Sequence, residues 1–512
     1  MNLTQKHAPI VEALSTYLGE SATSFGVPGH RSGKGAPSEI KNLLGNYAFH
    51  GDAAEQKGID DRRKTKDVVH KAELLAAKAW GAEHCFFSTN GTSLSNHVAM
   101  LAAANPGDKV LIARNSHKSL PAAAIIGHVK PVYLTPVFDE IWDIEHGISV
   151  DELKRQLKKH PDTKAVFVVC PTYYGLSSDM TALAEICHDH GIPLVVDEAW
   201  GPHYPFHKQL PKTAIECGAD ISVASIHKTM AGLEQASILL LNSKLIDPER
   251  FELCYDLFET TSPSVPILAS IDATRRQFVE QGKKLLGEVI EMSVDVREQL
   301  AAIEGIRVMG PEVLAGDATM QLDVTKILMD VTRLRVNGYE AEDWLMREHK
   351  MSFALSDPKH LLANLTIGTD ATAARKLVSA IQDLAKWARK DQRHRKGLVE
   401  TLPLKRDLGT SSAMDLWQAF FQPAEEIPLK KAVGRIAAEM VSPYPPGIPR
   451  VLPGERITQT MVDYFQAEIE MGAYPLDPAD PNLKTVRVVK EAARNGATHH
   501  KRGRKRATAG SA

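Results

Sequence analysis

Short runs rich in Val, Ile and Leu recur through the first half of the chain. The runs are "HCFF" (84–87), "KVLIA" (109–113), "PVYLT" (131–135), "KAVFVVC" (164–170), "PLVVDEA" (193–199), "DISVAS" (220–225) and "ASILLL" (236–241). Many are separated by stretches with helical spacing, such as "DVVHKAELLAAKAWG", which stops at Gly81, and "MTALAEICHDHG" (180–191). Strands without polar alternation, divided by helices, predict an α/β fold with a mainly parallel sheet covered on both faces.

The pattern changes after "TTSPSVPILAS" (260–270). An amphipathic helix over roughly 271–304 precedes "GIRVMG", "ATMQLDV", a helix near 338–349, "LLANLTIG" and a last helix over 370–390. That order predicts a second, smaller α+β unit. A charged connection (390–410) then leads to the helix-like "LKKAVGRIAAEMV" and the Pro-rich "SPYPPGIPRVLPGE" (442–455). We therefore divide the chain into an N-terminal segment (1–63), a large domain (64–275), a small α+β domain (276–395), a C-terminal domain (396–490) and a basic tail (491–512). The tail carries five basic residues within 501–506 and no apolar anchor, and reads as a solvated, disordered end.

Composition narrows the function. The 512 residues are 43% hydrophobic and 24% charged, and 61 Lys+Arg against 63 Asp+Glu leave a net charge of −2. That balance argues against nucleic-acid and membrane-surface partners. The five cysteines (85, 170, 187, 217 and 254) form no CxxC pair and suit reduced thiols in the cytoplasm. The first twenty residues lack the apolar core of a signal peptide. No apolar run approaches the roughly 18 residues of a membrane span.

Four short motifs carry candidate chemistry. "STNGTSLSN" (88–96) lies where a strand gives way to a helix, so Gly91, Thr92 and Ser93 would offer backbone N–H groups and hydroxyls to a phosphate, or simply cap the helix. "VVDEAWGPH" (195–203) ends a strand with two carboxylates, at the sheet edge where such folds bind ligands. Asp197 there could pair with a protonated heterocycle, hold Mg²⁺ or cap the next element. Pro205 between His203 and His207 argues against a helical zinc pair, and no HExxH occurs, so no metal site is expected. "SIHKTMAGLEQAS" (225–237) sets Lys228 after a third strand end, and "NSHKSL" (115–120) repeats the His-Lys pair. Of the two lysines, Lys228 should emerge beside Asp197, whereas Lys118 opens a helix and should turn to solvent. A phosphate cradle, a ring-stacking histidine, a carboxylate and an amine, in that order, are what pyridoxal 5'-phosphate requires.

With "PGHRSG" (28–33), "TTSPSVPILASID" (260–272) and "PYPPGIPRVLPGE" (443–455), these motifs resemble the ornithine/lysine/arginine decarboxylase family. The resemblance spans residues 28 to 455 and is to the short bacterial form, without an N-terminal receiver-like domain. It implies the aspartate-aminotransferase-like fold type I of pyridoxal-phosphate enzymes, and decarboxylation of a basic amino acid in polyamine biosynthesis. Lys228 is then the covalent amine, assisted on the phosphate side by Ser225 and His227. Gly91, Thr92 and Ser93 hold the phosphate, His117 stacks on the ring, Asp197 pairs with the ring nitrogen and Ala199 packs on the other face. Ser262 or Ser264 would reach a neighbouring subunit's cofactor, implying a homodimer or larger homo-oligomer with shared sites. Glu455, and with it His203, would lie near the substrate.

The residues leave two matters open. Aminotransferases and aldolases of the same fold share this cofactor constellation, members of the family scaffold could also oxidise or deaminate a basic amino acid, and Arg333 or Arg335 could serve an aminotransferase as carboxylate anchor. Among substrates arginine is favoured over lysine or ornithine, with Glu455, Asp256 and Glu259 as candidates for meeting the distal cation.

Overall fold

The computed structural model describes residues 3–20, 23, 25–54, 59, 67–314, 316–390, 408, 411–444, 447–475 and 477–491. Nearly all of the charged connection and all but the first residue of the basic tail lie outside the described residues.

Seven strands form the main sheet: β1 (His84–Ser88), β2 (Lys109–Ala113), β3 (Lys130–Leu134), β4 (Thr163–Val169), β5 (Leu194–Asp197), β6 (Ile221–Ser225) and β7 (Ser237–Leu241). Their spatial order is β1-β7-β6-β5-β4-β2-β3. The apolar runs are continuous because both faces are buried. In β2, Val110 and Ile112 join one hydrophobic cluster while Leu111 and Ala113 join another, and Phe167 and Val168 of β4 divide the same way. All neighbours are parallel except β7, which runs antiparallel to both β6 and β1. The physical reason lies in the connection. Only residues 226–236 join β6 to β7, too few for a helical crossover, so the chain turns back sharply after Ser225.

Helix α1 (Pro9–Gly19) is tied to the long helix α2 (Val265–Ala301), which runs through the expected domain boundary at residue 275. The tie is built on a fully buried ion pair within α2, Arg275 to Asp272 at 2.9 Å, whose two members both reach the N-terminal segment. Arg275 also donates to the carbonyls of Gln5 and His7, and Asp272 accepts from the amide of Ile10 at 2.9 Å. Arg275→Met should lower stability by about 3–5 kcal/mol, because Asp272 is left buried without its countercharge. Thermal melting and proteolysis at the N-terminus would register the loss, and adding Asp272→Asn should recover part of it.

A smaller antiparallel sheet follows, with β8 (Arg307–Val308), β9 (Lys326–Asp330), β10 (Leu355–Ser356) and β11 (His360–Asn364) in the order β8-β9-β11-β10. It packs with the helices Gly338–His349 and Ala371–Lys390, as the second unit's pattern predicts. The expected helix over "LKKAVGRIAAEMV" does not form. After a single turn (Leu429–Lys431), Gly434 takes a φ of +83°, and the following backbone enters bridges, Ile436 with Arg456 and Ala437 with Val488. Helical spacing there reflects one buried side of an irregular ladder. Among the described residues no helix is long and apolar enough to cross a membrane.

Candidate active site

The strand ends of β1, β5 and β6 converge on a cavity of about 510 Å³. Its lining includes Gly91, Thr92, Ser93, His117, Asp197, Ala199, Ser225, His227 and Lys228. Nine positions singled out in four separate segments thus meet in one place.

The phosphate-side wall forms where β1 passes into the helix Gly91–Ala103. Gly91 has a φ of +72°, donates its amide to the Gln235 carbonyl at 3.0 Å, and leaves open space where a Cβ would stand. Behind it four hydroxyls interlock. Thr92 Oγ1 lies 2.5 Å from Ser225 Oγ and 3.1 Å from Ser237 Oγ, and Ser95 Oγ lies 3.0 Å from Ser237 Oγ. The antiparallel register of Ser225 with Ser237 brings these groups together. The first-turn N–H groups of the helix add to a surface suited to an anion.

The carboxylate of Asp197 is fixed at both oxygens. Asn96 Nδ2 donates to Oδ2 at 2.8 Å, and the amide of Ala199 donates to Oδ1 at 3.1 Å. Glu198, its sequence neighbour, faces the interior instead. It accepts from Ser222 Oγ and the Ala214 amide, and burial pushes its carboxyl up to about 8, so it stays protonated at neutral pH. Strand alternation separates the two acids: only Asp197 serves the cavity.

His117 Nδ1 lies 2.9 Å from Ser119 Oγ. Burial lowers its proton affinity to about 4, with Asp197 pulling the other way, so the ring is neutral in the working range. Because the folded value lies below the unfolded one, this histidine favours the fold above about pH 6.5, and that contribution is lost as pH falls towards 4. His227 Nδ1 sits 3.0 Å from the Ala236 carbonyl, which leaves Nε2 towards Glu234. Lys228 occupies a four-residue helical turn (Ile226–Thr229), with its Nζ 4.6 Å from the Trp200 ring centroid. Burial lowers its proton affinity, opposed by Asp197 and Glu234, so more of the amine is neutral and nucleophilic than on a surface lysine.

Some expected residues stand elsewhere. Glu455 does not line the cavity: it is buried against Arg114 (3.2 Å) and the Leu452 amide (2.8 Å), two groups that use its carboxylate. His203 is also outside the lining, 3.3 Å from Asp323 at the small unit. Glu259 accepts from Thr89 and Asn90 beside the cavity, and Asp256 is not in the lining. Ser262 and Ser264 do not line this chain's cavity, and Ser262 is exposed. Arg333 and Arg335 line a different cavity with Glu304 and Arg389.

Other lining residues escaped the sequence reading. Asn96 was detectable, being four residues beyond Thr92 and hence on the same helical face. Trp200 directly follows Ala199. Tyr173, Leu355 and Leu362 carry no local signal, since the last two belong to the small sheet and read as core. The cavity's size, its anion-binding end and its opposed carboxylate and lysine fit a phosphate-bearing aromatic aldehyde such as pyridoxal phosphate.

Comparison with known proteins agrees with this geometry. Residues 8–372 match the family model "Orn/Lys/Arg decarboxylase, major domain", and residues 411–474 match "Orn/Lys/Arg decarboxylase, C-terminal domain". The arginine decarboxylase of Bacillus subtilis (strain 168) is 35% identical over 492 residues, which covers 96% of this chain and 99% of the relative. The constitutive lysine decarboxylase of Escherichia coli (strain K12) is 26% identical, over 91% of this chain and 78% of that protein. The crystal structure of the Francisella novicida lysine decarboxylase superposes with a TM-score of 0.80 at 21% identity, covering 94% of this chain and 81% of that one.

Proposed function

The chain belongs to the Orn/Lys/Arg decarboxylase family, and from that premise we propose that its substrate is arginine. It is a decarboxylase of a basic amino acid. Arginine is favoured because the relatives aligned along nearly the whole chain at 33–35% identity bear that activity in their names, whereas the lysine decarboxylases stand at 26%.

We propose these roles for the chain's own residues. Lys228 Nζ is the amine that carries pyridoxal phosphate. Thr92, Ser93, Ser225 and His227 hold the phosphate at the helix start that Gly91 opens, the Gly91 amide itself being taken by the Gln235 carbonyl. When bound, the cofactor supplies a protonated ring that accepts the electrons left on the substrate's Cα as CO₂ departs. Asp197, oriented by Asn96 and the Ala199 amide, holds the proton on the ring nitrogen. His117, neutral, covers one ring face without adding a second cation, and Ala199 leaves room on the other. Val169, Tyr173, Trp200, Leu355 and Leu362 exclude water from the reacting side.

Decarboxylation rather than transamination is carried by the match of residues 8–372 to the Orn/Lys/Arg decarboxylase family model, and among the described residues no arginine lines the cavity. A bidentate guanidinium would stabilise the substrate carboxylate and oppose its loss. Arg333 and Arg335 are in the other cavity. Ser262 or Ser264 is assigned to a second copy's site, within a homodimer or larger assembly. Support comes from their loop, which this chain's cavity does not use, and from exposed Phe25, Val27, Leu43 and Tyr47. A cytoplasmic location suits five cysteines that are all free.

The test offers arginine, lysine and ornithine separately to the protein with pyridoxal phosphate, and measures CO₂ and identifies the amine by mass. Arginine should be turned over with a kcat/KM at least about tenfold above the others, the scale set by one well-made polar contact. The rate should not depend on O₂. Faster release from lysine overturns the substrate, and oxygen-dependent turnover without CO₂ overturns the reaction.

A further inference from the structure

Behind the cavity wall lies a second buried amine. Lys326 opens β9 of the small sheet, is fully buried, and its Nζ meets no hydrogen-bond partner among the described residues. It stands 3.7 Å from the centroid of the Trp200 ring, the same indole that Lys228 Nζ approaches at 4.6 Å. An apolar side chain would fill this place without the penalty of burying an ammonium. The chain instead makes room for the lysine. Gly175, at a φ of +85°, passes so close that a Cβ there would stand 2.9 Å from Lys326 Cδ.

The same edge of the small sheet touches the Lys228 segment directly. Asn364, paired in register with Lys326, donates Nδ2 to the Lys228 carbonyl at 3.2 Å. The β9–β11 ladder therefore sets the position of one lysine's backbone and the other's charge together.

We propose that Lys326 is a positioning residue for Lys228: its cation, set against the shared Trp200 ring, disfavours a proton on Lys228 and keeps that amine available for reaction. The inference rests on Lys228 being the reactive amine, as proposed above.

The surrounding charges define the coupling. Asp197 and Glu234 favour a proton on Lys228, with His227 and His117 the other titratable groups in its cavity. Lys326 faces Asp323, which is shared with His203 and bonded to Thr325, and Tyr204 OH lies 3.5 Å from the same carboxylate. Arg297 reaches in from α2 to the Lys326 carbonyl. Burial opposes ionisation of Asp323, yet His203 and Lys326 hold it down at about 2, so a carboxylate remains for Lys326 to oppose. Burial brings Lys326 down to about 7, against the pull of Asp323 and with the push of Lys228. Two amines that repel each other titrate as a pair: Lys326 releases its proton near 7, so its cation bears on Lys228 at and below that pH.

Trace acetylation of the cofactor-free protein across pH, with Lys228 followed by mass spectrometry, tests this. Lys326→Met should move the Lys228 midpoint to higher pH and reduce its labelling at pH 7 by about tenfold, the scale for nearby like charges at an effective dielectric of about 20. Lys326→Arg, a permanent cation, should move it the other way. The acid limb of kcat/KM should follow in the same directions. A Lys228 midpoint unmoved in both variants, or moved the same way by both, overturns the proposal. If the methionine variant does not fold, Lys326→Gln replaces it under the same two criteria. The labelling reads the lysine pair without cofactor, so its outcome is separate from the visible-band test of Lys228 itself.

Discussion

Lys228→Ala should yield a folded protein that gains no visible band with pyridoxal phosphate and loses turnover by several orders of magnitude. The expectation follows from where the turn after β6 leaves this side chain. The chain reverses into β7 within residues 226–236, so the lysine is held on a short helical turn at the sheet edge. Burial makes its neutral, nucleophilic form more accessible than that of a surface lysine. Lys118 provides the internal control. It has the same histidine before it, but its Nζ is held by Asp477 at 2.5 Å and is partly exposed. Lys118→Ala should keep the band. Absorbance of dialysed protein, followed by borohydride reduction and peptide mapping, reads both variants. A band lost with Lys118→Ala and kept with Lys228→Ala would falsify the assignment.

Asp197→Asn should fold, bind the cofactor and lower kcat by about 10²–10³-fold, the scale for removing one preorganised electrostatic partner of a developing charge. The carboxylate is useful because it is aimed before reaction begins, by Asn96 and the Ala199 amide. An asparagine keeps the shape and one acceptor but loses the charge that holds a proton on the ring nitrogen. It also sets an amide against the Nδ2 of Asn96. KM should change little, because substrate contacts are untouched. Steady-state kinetics with cofactor saturating would decide it, and wild-type kcat in this variant would remove Asp197 from the mechanism.

Much of this site was legible in the chain. The strands were found because burial on both faces removes polar alternation, a signal that needs only local composition. Gly91, Asp197 and Lys228 were found because parallel strands deliver their C-terminal ends to one edge, so position relative to a strand becomes position in space. The same logic failed where side chains arrive without a strand-end address. Leu355 and Leu362 enter from the small sheet, and the apolar alternation that marks them is the same as that of core residues. A carboxylate near a Pro-rich loop says nothing about its partner: Glu455 pairs with Arg114, 341 residues away in sequence.

The sequence by itself determined the family, the mainly parallel sheet and nine of the residues that line the cavity. All three are written in local patterns: apolar runs, strand-end motifs and their order. Tertiary structure decided what depends on pairs of distant segments. It reversed β7, divided Asp197 from Glu198, placed Glu455 and His203 outside the cavity lining, and set Lys326 against the same indole that Lys228 approaches. Hydrogen-bond and charge partners are chosen by packing across hundreds of residues, and no local pattern in the chain encodes that choice.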